Sequence, residues 1–303
     1  MKKYIKIMRI DHWVKQLFTL PGFICALYLG NYKLNINIVI LFLIGLLATS
    51  LIASANYVIN EYLDAKFDKY HPVKSKRPLV AEDVKGSIIW LLWFILGVTG
   101  LLIGYFAINK YFFFAELTLL IMGILYNVKP FRTKDLFLLD VLSESVNNAI
   151  RFMLGWFIIP INIVVPISIL FGYWMAGAFL MATKRYSEYK FINNKKKAGL
   201  YRKSFIFYNE KILITSAFFY AMCSVFFIGI FLIKYRIELI MSIPFIIGLF
   251  CYYFYLSFAK DSVVQKPEKL YKEHGLMLYC LFLIALLAIL MNFDIPWLDI
   301  FVK

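Results

Sequence analysis

Nine apolar blocks separated by alternating short and strongly basic connections constrain this chain more than any other feature. The blocks run approximately over 14–30, 36–59, 87–108, 111–127, 136–159, 162–183, 212–233, 238–258 and 275–292. A helix needs about 20 apolar residues to cross the hydrocarbon core of a bilayer. Lipid offers no hydrogen-bond partner to the backbone, so apolar blocks of this length predict helices rather than strands. The 303-residue chain is 62% hydrophobic, whereas soluble domains average about 45–50% apolar residues. Length alone would allow two soluble domains, but the block pattern argues for one helical bundle. The expectation is an all-α integral membrane protein with about nine transmembrane helices, forming a single domain over 1–303.

Charge gives the orientation. With the N-terminus placed in the cytoplasm, 27 Lys and Arg residues fall inside and five outside, and Arg151 lies within a block. Cytoplasmic loops carry such an excess of Lys and Arg, so the reading is a multi-pass protein of the cell membrane. Its N-terminus lies inside, its C-terminus outside, and its polar working surface on the cytoplasmic face. Two inner loops, 60–86 and 184–211, are long and hold most of the polar side chains able to do chemistry. Long loops in a compact protein are usually functional or disordered. They follow the second and the sixth helix, which suggests two related halves around one site. The net charge of +15 suits anionic headgroups or an anionic substrate, and charge clamped against a bilayer argues against a nucleic-acid partner. Cys25, Cys223, Cys251 and Cys280 each sit in an apolar block without a CxxC spacing, so they read as small buried residues rather than a disulfide framework or zinc site. Leu17 to Gly30 has no small-residue cleavage pattern, so the first apolar block, 14–30, reads as the first membrane helix rather than a cleavable signal.

The stretch Asn60-Glu61-Tyr62-Leu63-Asp64-Ala65-Lys66-Phe67-Asp68 carries the strongest chemical signal. Asn60, Asp64 and Asp68 are spaced four apart, so a continuing second helix lines them on one face. Three oxygen ligands there suit Mg²⁺, which typically takes one or two carboxylates plus substrate phosphate oxygens. The alternative is a solvated helix end with scattered charge. The basic run Lys74, Lys76 and Arg77 that follows would suit the rest of a polyphosphate. Thr183-Lys184-Arg185-Tyr186-Ser187-Glu188-Tyr189-Lys190 opens the other long loop; the positive-inside pattern alone would also account for Lys184 and Arg185. Arg151 lies inside an apolar block, where an ionisable group is costly and is a functional candidate, with snorkelling to an interface as the alternative.

These residues resemble the UbiA superfamily of intramembrane prenyltransferases. The segment Asn60 to Asp68 is similar to its N-D-x-x-D-x-x-x-D motif, with Glu61 replacing the usual first Asp. Within the superfamily the likeness is closest to the decaprenyl-phosphate phosphoribosyltransferase group. It is carried by Arg9-Ile10-Asp11-His12-Trp13-Val14-Lys15, by His71-Pro72-Val73-Lys74-Ser75-Lys76-Arg77-Pro78, by Ala149-Ile150-Arg151 before Gly155, and by Lys184-Arg185-Tyr186-Ser187-Glu188. Arg202-Lys203-Ser204 and Tyr208 also fit, and the likeness spans roughly residues 9–275.

The resemblance implies a UbiA-type bundle with a site formed by loops 60–86 and 184–211. It implies Mg²⁺-dependent transfer of 5-phosphoribose from 5-phosphoribosyl 1-diphosphate to a polyprenyl phosphate, releasing diphosphate, as a step towards arabinose-containing cell-envelope glycans. Asn60, Asp64 and Asp68 would hold the metal and act in catalysis. Lys15, Lys74, Arg77, Arg151, Lys184, Arg185 and Tyr186 would bind the phosphorylated substrates, Arg through a bidentate fork. The main alternative is a prenyltransferase that moves an isoprenyl group from its diphosphate to an aromatic or glycerol acceptor. A lipid-binding or transport protein fits less well, because transporters place their key polar groups near the bilayer midplane.

Overall fold

The computed structural model describes residues 2–76, 85–259, 262–265 and 267–301. Among these the chain is helical, with no strand. The helices are α1 (Lys2–Ile7), α2 (Leu20–Leu29), α3 (Ile36–Asp68), α4 (Gly86–Ile103), α5 (Lys110–Asn127), α6 (Leu139–Phe157), α7 (Ile167–Ile192), α8 (Lys195–Tyr201), α9 (Glu210–Tyr235), α10 (Ile243–Ser257) and α11 (His274–Asn292). A 3-10 segment, Ile10–Thr19, leads into α2, and a π-helical turn, Gly104–Ile108, ends α4. Asparagine starts four of the helices. The side chains of Asn35, Asn109, Asn194 and Asn209 accept backbone N–H groups of Ile38, of Tyr111 and Phe112, of Lys197, and of Ile212. They thereby satisfy donors that the first turn leaves without an intrahelical partner.

Seven of these helical stretches are long and apolar enough to cross a membrane: Ile36–Asp68, Gly86–Ile108, Lys110–Asn127, Ile167–Ile192, Glu210–Tyr235, Ile237–Ser257 and His274–Asn292. The first and fifth of the nine expected blocks are the two outside this set. The first is divided between the 3-10 segment and the ten residues of α2, which has a proline at its start. The fifth is α6, whose 19 residues include Asp140, Glu144, Asn147, Asn148 and Arg151.

The chain forms two compact units, one made of 1–165 and 192–208, the other of 166–191 and 209–303. In the first unit, helices approach closely where side chains are smallest. A Cβ added to Gly22 would lie 1.9 Å from the carbonyl oxygen of Phe152, and one added to Gly155 would lie 1.9 Å from that of Thr19. Small residues are what permit such backbone contact between helices in lipid, and here they press α2 against α6. Gly104 has a different neighbour. Its absent side chain makes room for the carboxyl of Glu116 on α5, which would be 2.2 Å from a Cβ there. Glu116 is fully buried, and neither carboxyl oxygen has a hydrogen-bond partner among the described residues. Asn109 then joins the hairpin to α6, its Nδ2 donating to Phe157 O at 2.6 Å.

In the second unit, Ser224 Oγ donates to Gly172 O at 2.9 Å, tying α9 to α7. Arg236 closes one end of this unit, with Nε 3.1 Å from Glu238 and Nη2 2.8 Å from Asp294.

Candidate active site

The second helix does continue through the acidic motif. Helix α3 runs without interruption to Asp68, so Asn60, Asp64 and Asp68 share one helical face and lie on a helix rather than in a loop. Tertiary contacts place the segment between α5 and α6 against that face. Lys134 Nζ lies 2.5 Å from Asp64 Oδ1, 2.7 Å from Asn127 Oδ1 and 3.3 Å from Asn60 Oδ1. Arg132 Nη2 donates to the same Asp64 oxygen at 3.0 Å, its Nη1 donates to Asn127 O at 2.9 Å, and its Nε reaches Asp135 at 3.1 Å. Its guanidinium also lies 4.9 Å from the ring centroid of Phe67. Burial pushes the Lys134 ammonium down to about 8, over the opposing pull of Asp64 and with help from Arg132 and Arg202. The connection is held in uncommon backbone geometry. Arg132 and Leu138 have φ of 32° and 61°, a region that costs non-glycine residues about 1–3 kcal/mol and persists only where the surroundings impose it.

A second layer comes from residues 192–208, which pack within the first unit. Asp140 of α6 is fully buried. Its Oδ1 accepts from Tyr208 Oη at 2.7 Å, its Oδ2 accepts from Ser204 Oγ at 3.1 Å, and Arg202 Nη1 lies 3.6 Å from Oδ2. Tyr208 Oη in turn accepts the Leu138 N–H at 3.0 Å. Arg202 Nη1 also donates to Tyr126 Oη at 3.2 Å, and that hydroxyl donates to Glu144 at 2.7 Å. Arg202 is therefore the third cation of the cluster, fixed by α6 and near enough to Lys134 to act on its charge.

The other expected site residues fall in distinct places. Arg151 lies deeper along α6. Its Nε donates to Gln16 Oε1 at 2.9 Å and its Nη1 to Asn148 Oδ1 at 3.3 Å. Lys15 Nζ and Arg9 Nη2 lie 2.8 and 2.7 Å from the two ring nitrogens of His12, and that ring sits edge-on to Tyr57, 5.3 Å away. These residues make a basic patch along the Ile10–Thr19 segment, α3 and α6. Lys74 donates to the Tyr201 hydroxyl of α8 and lies over that ring. Arg77 lies outside the described residues. Lys184, Arg185 and Tyr186 belong to the second unit and lie on a helix, because α7 extends to Ile192 rather than ending before 184. Arg185 and Tyr186 are buried. Arg185 Nη1 is 3.6 Å from Glu188 on the next turn, and Tyr186 packs edge-on to Phe258.

Sequence reasoning missed Arg132, Lys134, Asn127 and Asp140. The basic residues of 128–135 fit the positive-inside pattern and were absorbed by it. The available signal was a buried-type sequence, Leu-Tyr-Asn, running straight into a short basic connection opposite the acidic face.

The oxygens gathered here would suit a divalent cation in place of the ammonium they now hold. Three hard oxygens, from Asn60, Asp64 and Asn127, already surround one positive centre, the Lys134 ammonium. No trio of His, Cys, Asp or Glu side chains that could hold a metal occurs among the described residues. A metal here would accordingly rest on one or two carboxylates, amide oxygens and substrate oxygens, as Mg²⁺ does.

A family model described as the UbiA prenyltransferase family matches residues 18–287. The chain belongs to that family. The fold agrees: the chain is similar to a UbiA homologue from Archaeoglobus fulgidus bound to DMAPP and Mg²⁺, with a TM-score of 0.69 and 22% identity, over 96% of this chain and 100% of that one. It is also similar to the structure of a digeranylgeranylglyceryl phosphate synthase, with a TM-score of 0.61 and 20% identity, over 95% of each chain. By sequence it is 27% identical over 186 residues to decaprenyl-phosphate phosphoribosyltransferase of Mycobacterium tuberculosis, covering 61% of this chain and 59% of that one. It is 26% identical over 177 residues to protoheme IX farnesyltransferase of Acinetobacter baumannii, covering 57% and 58%. The aligned stretches thus span less than two thirds of these relatives. Family and helices together make this a multi-pass membrane protein of the UbiA prenyltransferase family.

Proposed function

We propose that the chain transfers 5-phosphoribose from 5-phosphoribosyl 1-diphosphate to a polyprenyl phosphate at the cytoplasmic face of the cell membrane, acting as one domain over 1–303 with Mg²⁺ at Asn60, Asp64 and Asp68. The observation that carries this reading is the convergence of Arg132, Lys134 and Arg202 around a single acidic helix face. Two phosphorylated substrates bring more negative charge than one metal neutralises, and three cations answer it. Asn60, Asp64 and Asp68 would hold a divalent cation, which would supply charge neutralisation for the diphosphate leaving group. Arg132 and Arg202 orient phosphate oxygens through planar forks, which Lys cannot do. The attacking lipid phosphate is already an anion, so no strong general base is needed. The sequence likeness to decaprenyl-phosphate phosphoribosyltransferase supports the same choice.

Lys184, Arg185, Tyr186 and Glu188 bear on the donor as well. One carboxylate lies in Lys184 to Lys190, and it faces Arg185, which leaves poor ligation for a second metal.

A second reading, transfer of an isoprenyl group from its diphosphate, is favoured by the nearly equal identity to protoheme IX farnesyltransferase. Purified protein offered both donor types under identical conditions distinguishes them. Mg²⁺-dependent consumption of phosphoribosyl diphosphate with a polyprenyl phosphate acceptor is expected. Isoprenyl transfer to an aromatic acceptor, with phosphoribosyl diphosphate untouched, would refute the proposal and leave the family assignment intact.

A further inference from the structure

The positive charge that holds Asp64 belongs to the protein itself. Lys134 Nζ occupies the point where oxygens of Asn60, Asp64 and Asn127 converge, and only 4% of its side chain is exposed. Arg132 shares the same Asp64 oxygen. A divalent ion binding Asn60 and Asp64 would sit within a few ångströms of that ammonium, where like charges repel strongly at low dielectric. The two cannot share these ligands, so the metal has to displace Lys134 from them. The displaced ammonium then needs another anion, because a buried unpaired charge is costly. A substrate phosphate on that side of the metal is the natural partner.

We propose that Lys134 is an internal counter-ion that competes with the metal for Asn60 and Asp64, and that its displacement hands a cation to a phosphate ester, so that metal and phosphate bind with positive coupling. The inference rests on the metal site proposed above and adds an order to it. Without metal, Asp64 holds Lys134 and shares Arg132 with Asp135, and the phosphate subsite is weak. Without phosphate, Lys134 weakens the metal. Thermodynamic linkage makes the two effects equal. The connection that carries both cations is suited to such an exchange. Arg132 and Leu138 hold positive φ angles there, and the contact of Arg132 to Asp64 is one that a metal on that carboxylate would alter.

The test uses full-length protein in detergent, with Mn²⁺ as the metal, free Mn²⁺ read by paramagnetic resonance, and ribose 5-phosphate as the phosphate ester. In the wild type, saturating ribose 5-phosphate should tighten Mn²⁺ binding about tenfold, equivalent to about 1.4 kcal/mol. Lys134→Gln and Lys134→Met should each bind Mn²⁺ alone about tenfold more tightly than the wild type, and ribose 5-phosphate should no longer add to it. Lys134→Arg, which keeps a cation, should stay near the wild-type value. Unchanged or weaker Mn²⁺ binding in both neutral variants would overturn the counter-ion role while leaving the metal site standing. Absence of Mn²⁺ binding in the wild type and every variant would overturn this inference and the metal site together.

Discussion

Removing the Asp140 carboxylate should release residues 202–208 from the first unit. In the folded protein this buried group accepts hydrogen bonds from Tyr208 and Ser204 and faces Arg202. Breaking a buried charged pair by deleting one partner costs about 3–5 kcal/mol. Arg202 is 13% exposed and its contact is long, at 3.6 Å, so the lower end applies, about 3 kcal/mol. That corresponds to about a 100-fold rise in the open population of the segment. Asp140→Ala should therefore speed amide hydrogen exchange over 202–208 about 100-fold, read by mass spectrometry, while exchange over His274–Asn292 stays unchanged. Asp140→Asn keeps the shape and an acceptor for Tyr208 but loses the charge. Charge-assisted bonds are roughly twice as strong as neutral ones, and an effect of about tenfold is expected. Exchange over 202–208 in Asp140→Ala that stays within twofold of the wild type would refute the claim that Asp140 anchors this segment.

Asp64→Asn preserves size and removes the charge that Lys134 and Arg132 face, and turnover should fall at least about 100-fold, the scale of a lost key electrostatic group; near-normal turnover at limiting Mg²⁺ would exclude the metal role. Arg151→Lys should be impaired nearly as much as Arg151→Ala, because the contacts to Gln16 and Asn148 use two different nitrogens of the guanidinium fork; full activity of a well-expressed Arg151→Ala would reduce the residue to an interface anchor. Gly123→Leu should lower thermal stability, because even a Cβ there would lie 1.9 Å from Asn56, and overpacking costs about 1–3 kcal/mol; an unchanged melting temperature in detergent would contradict the α3–α5 packing. A reporter fused after Lys303 should read as external, and a cytoplasmic signal would overturn the charge-based orientation.

The apolar blocks and the acidic face were legible in sequence because both depend on local spacing. Residues four apart on a helix meet whatever the tertiary structure does, so Asn60, Asp64 and Asp68 could be grouped before any fold was known. Lys134 could not be read in this way. It lies 70 residues from Asp64, and a charge count treats a buried lysine and an exposed one alike. Asp140 was hidden by the same averaging. Its neighbours are apolar enough for 136–159 to read as a plain block, and only the fold brings Tyr208 and Ser204 to it. Proline explains the first block. Pro21 removes a donor and begins a new helix, which divides the expected span into a 3-10 segment and α2.

The pocket that Gly104 leaves for Glu116 bears on how the protein is made. Of the seven candidate spans, α5 is the least apolar, and it carries a carboxyl that is expensive to place in lipid by itself. Helix α4 is far more apolar, and Asn109 provides the turn between them. During synthesis α4 would enter the bilayer first and present its glycine gap to the arriving α5, so that Glu116 meets protein rather than lipid. Biogenesis would then proceed by hairpins, with a leading helix chaperoning its partner, and a bulky residue at position 104 would act on yield in the membrane before it acted on any catalytic step.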